Sequence, residues 1–191
     1  MSEKCERISF HASNAGKLLG GMSALLGCLL LFSSLSARAD VNDSASARRF
    51  FLPSGGPGIS IAKEDWNFQR EQRRPGDTAL YYMLSSENRR AGFSVYIDKT
   101  NVCRSADACL ESSLKNPQYK DARNLQRGSE GVFKTAAFIL SQPNGMPVEQ
   151  ANLLASAYVD GVWFDVHISI GSKETPDMSK LVEILRTVSV N

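Results

Sequence analysis

The chain has few of the residues that bind metals or carry out catalysis. It contains two histidines in 191 residues, and only His167 lies beyond residue 39. A single histidine excludes a multi-histidine zinc site, and a mixed histidine–cysteine site would need both remaining cysteines reduced. The phosphate-binding motifs GxxxxGK[ST] and GxGxxG are absent, as is the GxSxG nucleophile elbow. The sequence therefore predicts no metal and no cofactor.

The chain also lacks an uninterrupted apolar run of the roughly 20 residues that a membrane-spanning helix needs. Its apolar run Ala24–Phe32 follows a basic, polar stretch and precedes the small residues Ala37 and Ala39. This order is typical of a secretory signal peptide. We expect cleavage after Ala39, no stable membrane span after cleavage, and a mature chain in the periplasm or secreted. An uncleaved anchor and lipidation at Cys28 are the alternatives.

The expected mature chain has no excess of either charge. Four of the 22 basic residues and two of the 20 acidic residues precede residue 40, so 18 of each remain. A general attraction to nucleic acid would need a large positive excess, so we predict no nucleic-acid partner. Small basic clusters remain at Arg70/Arg73/Arg74 and Arg89/Arg90, which indicate solvated strand edges and turns or, alternatively, an anion site.

Two cysteines, Cys103 and Cys109, remain after residue 39. In an oxidising compartment a pair is most simply a disulfide, and a separation of six residues allows it with Cys109 on a helix. The closed loop is short, so we expect a stabilisation of about 2–3 kcal/mol at most. The spacing lacks the two intervening residues of a redox motif.

The length after residue 39 suits a single domain. Residues 40–57 are rich in Ser, Gly, Pro and Ala and predict a flexible leader, in which Phe50-Phe51-Leu52 is a candidate to dock on the ordered domain of residues 58–191. Strand patterns follow in residues 59–61, 66–68, 78–84, 93–97 and 131–141 and in two runs within 150–170.

Turn and capping signals complete the pattern. Asp160-Gly161 predicts a type I′ hairpin, Ser105 caps a helix that extends to Lys115, and Thr175-Pro176 begins a closing helix. Hairpin connections and two helices indicate the α+β class, with antiparallel β-sheet meanders backed by two helices, the last of them C-terminal.

The order of these elements resembles the PsbP/DcrB-like superfamily. The resemblance rests on Gly58-Ile-Ser-Ile-Ala-Lys-Glu-Asp-Trp66 near the start, and on Asp160-Gly-Val-Trp-Phe-Asp-Val-His-Ile-Ser169 with the helix that follows. It spans about residues 58–190. It implies an α+β fold and an accessory or binding role, as an analogy of fold.

Asp165, His167 and Ser169 have the residue types of an acyl-transfer triad. They alternate along one strand, where side chains two residues apart are separated by about 6.5–7 Å at the backbone. A triad needs heavy-atom contacts of roughly 2.6–3.2 Å and an oxyanion hole, which a regular strand does not provide. We therefore expect three polar residues on an exposed sheet face.

Aromatic side chains on the same strands suggest binding. Trp163, Tyr96 and Tyr158 are candidates for an outward-facing patch that also includes Asp165 and His167, because Tyr and Trp are favoured interface residues. The alternative is that these aromatic side chains pack under a helix or loop.

The functional hypothesis is an exported, non-catalytic binding or accessory protein that binds another envelope protein or neutralises a toxin. The alternative is a hydrolase of cell-wall or other envelope polymers that uses Glu64, Asp65, Asp165 or His167. Two carboxylates converging in a cleft would favour the hydrolase, and a flat aromatic patch without perturbed acids would favour the binding protein. A carrier of a small apolar molecule would require an internal cavity.

Overall fold

The computed structural model describes residues 46–63, 66–99 and 102–191. The described part contains ten strands and two α-helices: β1 (Ala47–Phe50), β2 (Ile59–Ala62), β3 (Asn67–Arg73), β4 (Ala79–Ser86), β5 (Ala91–Asp98), α1 (Ala106–Leu114), β6 (Arg123–Glu130), β7 (Phe133–Ser141), β8 (Glu149–Val159), β9 (Val162–Ser172), α2 (Ser179–Leu185) and β10 (Val188–Val190). The α+β class predicted from the sequence is therefore confirmed. Neither helix is long and apolar enough to cross a membrane.

Seven strands form one antiparallel sheet in the order β3-β4-β5-β9-β8-β7-β6. Two meanders, β3–β5 and β6–β9, meet where β5 pairs with β9. The β8–β9 hairpin turns at Asp160 and Gly161, whose φ angles of 48° and 79° are those of the expected type I′ turn. Strands β3 and β6 are the two edges of this large sheet.

The two helices lie on opposite faces of the large sheet. Helix α1 packs on β7, β8 and β9, where Leu110 joins Phe138 and Leu154. Helix α2 contributes Leu181 to the main core on the other face, where Leu153 lies. Successive side chains of a strand point to opposite faces, so Leu153 lies in the main core and Leu154 lies in the core beneath α1. The large sheet therefore carries one helix on each of its two faces.

A second sheet, in the order β1-β2-β10, closes the main core and was not foreseen. Phe50 is the last residue of β1 and Leu52 follows it, and each is 1% exposed within that core. Both are buried because β1 pairs with β2. The ordered region thus includes Ala47–Leu52, which the sequence analysis had placed in the flexible leader. The remainder of that leader, residues 40–45, lies outside the described residues.

The closing helix is shorter than predicted. It begins at Ser179 rather than at Thr175-Pro176, and the Asp177 carboxylate accepts a hydrogen bond from the Ser179 amide at 2.9 Å. Val188, which fits the apolar face of a longer helix, instead lies in β10 and pairs with Ile61 of β2. Helical spacing alone did not distinguish a buried helix residue from a buried strand residue here.

Candidate functional site

The predicted disulfide is confirmed and lies against the aromatic candidates. Cys103 in the loop before α1 is bonded to Cys109 on the helix, with the two Cα atoms 5.2 Å apart. The disulfide packs on Trp163, which is only 7% exposed, with Tyr96 and Tyr158 half-buried around it. The rings of Tyr96 and Trp163 meet edge to face at 5.5 Å. Trp163 thus packs under a loop and helix, the arrangement that was considered as the alternative to an exposed patch.

Tyr96 belongs to a hydrogen-bonded chain at the end of β5. Its hydroxyl donates to the carboxylate of Asp98, which is 1% exposed and lies 3.5 Å from the guanidinium of Arg74. Burial and the hydrogen bond to Asp98 raise the pKa of Tyr96 above its ordinary value. The hydroxyl therefore acts as a donor that holds a buried carboxylate in place.

Asp165 lies between β9 and α1 and joins them through its carboxylate. It accepts hydrogen bonds from Ser113 of α1 at 2.8 Å and from Ser156 of β8 at 3.2 Å. Burial raises the pKa of Asp165 to about 6, against the opposing effect of these two hydrogen bonds. The carboxyl group thus anchors α1 to the sheet.

His167 is held by Asn152 on the neighbouring strand. The Asn152 amide nitrogen donates to the carbonyl of Gln150, so its oxygen faces the His167 Nε2 atom at 2.9 Å. That nitrogen must then carry the proton of the neutral imidazole. Burial lowers the pKa of His167 to about 4, and the ring of Tyr119 packs edge-on at 5.9 Å.

These partners do not assemble the triad residue types into a catalytic unit. The hydrogen bonds described for Asp165 lead to two serines and that of His167 leads to Asn152. Ser169 instead lies beside Gly92 of β5. A Cβ atom added to Gly92 would be 3.0 Å from the Ser169 hydroxyl oxygen. The sequence placed Asp165 and His167 on an exposed sheet face, and this expectation is wrong for both, because Ser113 of α1 covers Asp165 and Tyr119 covers His167.

Ser113, Ser156 and Asn152 were missed by the sequence analysis. Counting outward from the Asp160-Gly161 turn places Ser156 directly opposite Asp165, and the structure has this register. That signal was therefore present in the sequence. Ser113 is 52 residues from Asp165, and no local pattern relates the two positions.

The described pocket lies at a different place from this polar cluster. It has a volume of about 380 Å³ and is lined by Arg48, Lys63, Trp66, Asn67, Glu87 and Asn88. Trp66 belongs to the main core, on the face opposite Asp165. Among the described residues lining the pocket, Glu87 alone supplies a carboxylate, and Glu64 and Asp65 lie outside the described residues. Within residues 46–63, 66–99 and 102–191, no group of three or more His, Cys, Asp or Glu residues could hold a metal ion.

One half of the α1-side face of the large sheet remains open. Alternate residues of β4 and β5 on that side are exposed or half-buried, while the residues between them are in the main core. The open positions are Tyr81, Met83, Ser85, Gly92, Ser94 and Tyr96, with Arg70 and Gln72 beside them on β3. We call this surface the open half-face; α1 contacts β7–β9, further along the sheet.

Comparison with known proteins gives fold likenesses only. No protein-family model matches the sequence, and no curated protein matches it. Solved structures similar to the chain include one from Bacteroides thetaiotaomicron, with 12% identity and a TM-score of 0.46. The match covers 75% of this chain and 48% of that protein, so the chain spans about half of its length.

Two further similar structures are smaller proteins. The Ran-binding protein Mog1p of Saccharomyces cerevisiae matches with 12% identity and a TM-score of 0.43, over 76% of this chain and 96% of Mog1p. PsbP (CyanoP) of Synechocystis sp. matches with 12% identity and a TM-score of 0.41, over 78% and 95%. A PsbP structure is thus among the similar structures, as the resemblance in the sequence predicted. At this identity the likeness concerns the arrangement of strands and helices.

Proposed function

We propose that the chain is an exported protein of the cell envelope that acts by binding another protein, an envelope component or a toxin that it neutralises, and not by catalysis. The observation that carries this proposal is that the acidic and basic side chains of β9 make structural contacts. Asp165 and His167 are bound to Ser113, Ser156 and Asn152 in contacts that fix α1 and pair strands. The open half-face, by contrast, directs aromatic and apolar side chains towards solvent.

The compartment rests on two features. The order of basic, apolar and small residues before Asp40 is that of a signal peptide, and the Cys103–Cys109 bond suits an oxidising compartment. Producing the full chain in its native cells should yield a form whose first residue is Asp40. Recovery of the whole chain in the cytoplasm would contradict the proposed export, and an intact residue 1 in the envelope fraction would contradict cleavage and indicate an uncleaved anchor.

Binding is tested by tagging the chain at its C-terminus, cross-linking it in living cells, and identifying what purifies with it. One dominant protein in a stoichiometric amount is the expected result. An equally abundant exported protein carrying the same tag controls for proteins that adhere to the tag. No enriched protein in repeated experiments would contradict the proposal.

The hydrolase is a second candidate because of one observation, the raised pKa of Asp165 to about 6, since perturbed acids concentrate at active sites. Against it, the hydrogen bonds described for this carboxyl group join α1 and β8 to β9, and the other two carboxylates of this hypothesis, Glu64 and Asp65, lie outside the described residues. Hydrolysis of purified cell-wall polymers by the wild-type protein that is lost in Asp165→Asn, with folding retained, would favour the enzyme.

A further inference from the structure

The open half-face has the size of a site for a single segment. Three strands about 4.8 Å apart and about eight residues long present on the order of 400 Å². A standard protein–protein interface buries about 800 Å² on each partner, so this surface is too small for two globular faces. A flat sheet surface also offers no concavity for a small molecule. An extended strand or one helix of a partner would cover it.

The charge of this surface is positive where it meets solvent. Arg70 is exposed on β3 opposite Met83, and Arg74 follows at the end of that strand. The carboxylate of Asp98, at the end of β5 on the same side of the sheet, is buried beneath Tyr96 and Arg74. Because Asp98 pairs with Arg74, the net positive charge of the open half-face comes from Arg70.

The apolar part of the surface lies beside these arginines. The Met83 side chain is 40% exposed in the middle of β4, and Tyr81 and Tyr96, which pair across β4 and β5, are half-buried next to it. Exposed methionine and tyrosine side chains are enriched at protein interfaces. Arg70 therefore forms a cationic edge of the open half-face, and Met83, its neighbour on β4, forms the apolar centre.

We propose that the open half-face, centred on Met83 and Arg70, binds one acidic segment of a partner protein whose apolar or aromatic side chain lies on Met83 and Tyr81. This inference rests on the proposed binding function and names its surface and partner chemistry. A second copy of the chain fits poorly, because face-to-face packing would oppose arginines across a small area. A carboxylate of such a segment would add a charge-assisted hydrogen bond to the exposed guanidinium of Arg70.

Photo-cross-linking in living cells tests the surface directly. The full chain carries Met83→p-benzoylphenylalanine, and a control chain carries the same substitution at Met146, an exposed methionine outside the open half-face. The expected result is a protein adduct at position 83 only, mapped by mass spectrometry to a segment rich in Asp and Glu. An adduct with a basic segment, with lipid or with another copy of the chain would overturn the proposal.

Matched variants then measure the contribution of the charge and of the apolar centre. The mapped segment is synthesised as a labelled peptide and titrated against the wild-type protein, Arg70→Glu and Met83→Glu. Each variant should bind at least about tenfold more weakly, and the wild-type affinity should fall with added salt. Lys173→Glu and Met146→Glu, at exposed positions elsewhere, should bind like the wild type. Thermal melts confirm folding, with Met83→Ser as the milder variant if Met83→Glu unfolds.

The outcomes separate this inference from the proposed function. A partner that is captured by general cross-linking, yet binds Arg70→Glu and Met83→Glu like the wild type, overturns the docking surface and leaves the binding function standing. No partner from either kind of cross-linking overturns both.

Discussion

Asp165 and His167 should make opposite contributions to the pH dependence of stability. They lie two residues apart on β9, and burial disfavours the charged form of each. The pKa of Asp165 is raised to about 6 and that of His167 is lowered to about 4. Between these values both groups are neutral in the folded protein, while in the unfolded chain the carboxyl group is ionised and the imidazole is protonated.

The sign of each contribution follows from linkage. Folding takes up a proton at Asp165, so this group lowers stability as pH rises from its unfolded pKa of 3.8 to about 6. Folding releases a proton at His167, so this group lowers stability as pH falls from 6.5 to about 4. Each proton changes the unfolding free energy by about 1.4 kcal/mol per pH unit, which amounts to about 3 kcal/mol over either range. In the wild type the two slopes cancel.

Single substitutions should reveal the two slopes. Relative to the wild type, Asp165→Asn should become less stable by about 1.4 kcal/mol for each pH unit of acidification between pH 6 and pH 4. His167→Gln should gain about the same amount. Asparagine can still hydrogen-bond both serines, and glutamine can still donate to Asn152, so both variants keep the neutral pattern of contacts seen in the fold.

Urea denaturation of the chain from Asp40, followed by tryptophan fluorescence across this pH range, measures the slopes. Asp160→Asn removes an exposed turn carboxylate and is the control. NMR titration of the imidazole gives an independent value, because His167 is the only histidine after residue 39. Parallel stability curves for wild type and both variants, or an imidazole that titrates near pH 6.5, would refute the reasoning.

Three stability measurements test other parts of the fold. Leu185→Ala should lower the unfolding free energy by about 2–4 kcal/mol because α2 seals the main core, whereas Lys180→Ala on its exposed side should change it by under about 0.5 kcal/mol; a loss below about 1 kcal/mol for Leu185→Ala would make α2 peripheral. Phe50→Ala should lower the unfolding free energy by about 3–5 kcal/mol in the same urea assay, since Phe50 is buried against Tyr82 with ring centroids 4.5 Å apart. A negligible effect would mean that β1 does not pack on the core. Replacing Cys103 and Cys109 by serine should lower the melting temperature through a loss of about 2–3 kcal/mol, and two titratable thiols in the untreated protein would contradict the bond.

Local patterns identified much of this fold. Period-two alternation located β5 and β9, and the Asp160-Gly161 turn located β8, which pairs with β9. Ser105 marked the start of α1, where its hydroxyl accepts a hydrogen bond from the Ala108 amide. The edge strand β6 was missed because all but its last residue are exposed, so it has no alternation of buried and exposed residues to recognise. Strands β1 and β10 were missed because each is short and is defined by pairing with β2.

The candidate site was less predictable than the elements. Sequence spacing argues against a triad of Asp165, His167 and Ser169, because side chains two residues apart on a strand are too far apart for hydrogen bonds. It did not predict that Asp165 lies beneath α1 and His167 beneath Tyr119, since both contacts depend on segments distant in sequence. The raised pKa of Asp165 and the lowered pKa of His167 follow from this burial and have no counterpart in composition.

The sequence by itself determined the α+β class, the short disulfide loop, the central hairpin and the absence of common nucleotide-binding motifs, because each depends on residue type or on spacing of a few residues. The tertiary structure decided which polar residues became structural, that Trp163 is buried under the disulfide, and that the open half-face between Arg70 and Tyr96 faces solvent. Those outcomes depend on which strands become neighbours and where a helix packs. Burial and solvent exposure are properties of that packing, which residues distant in the chain create together.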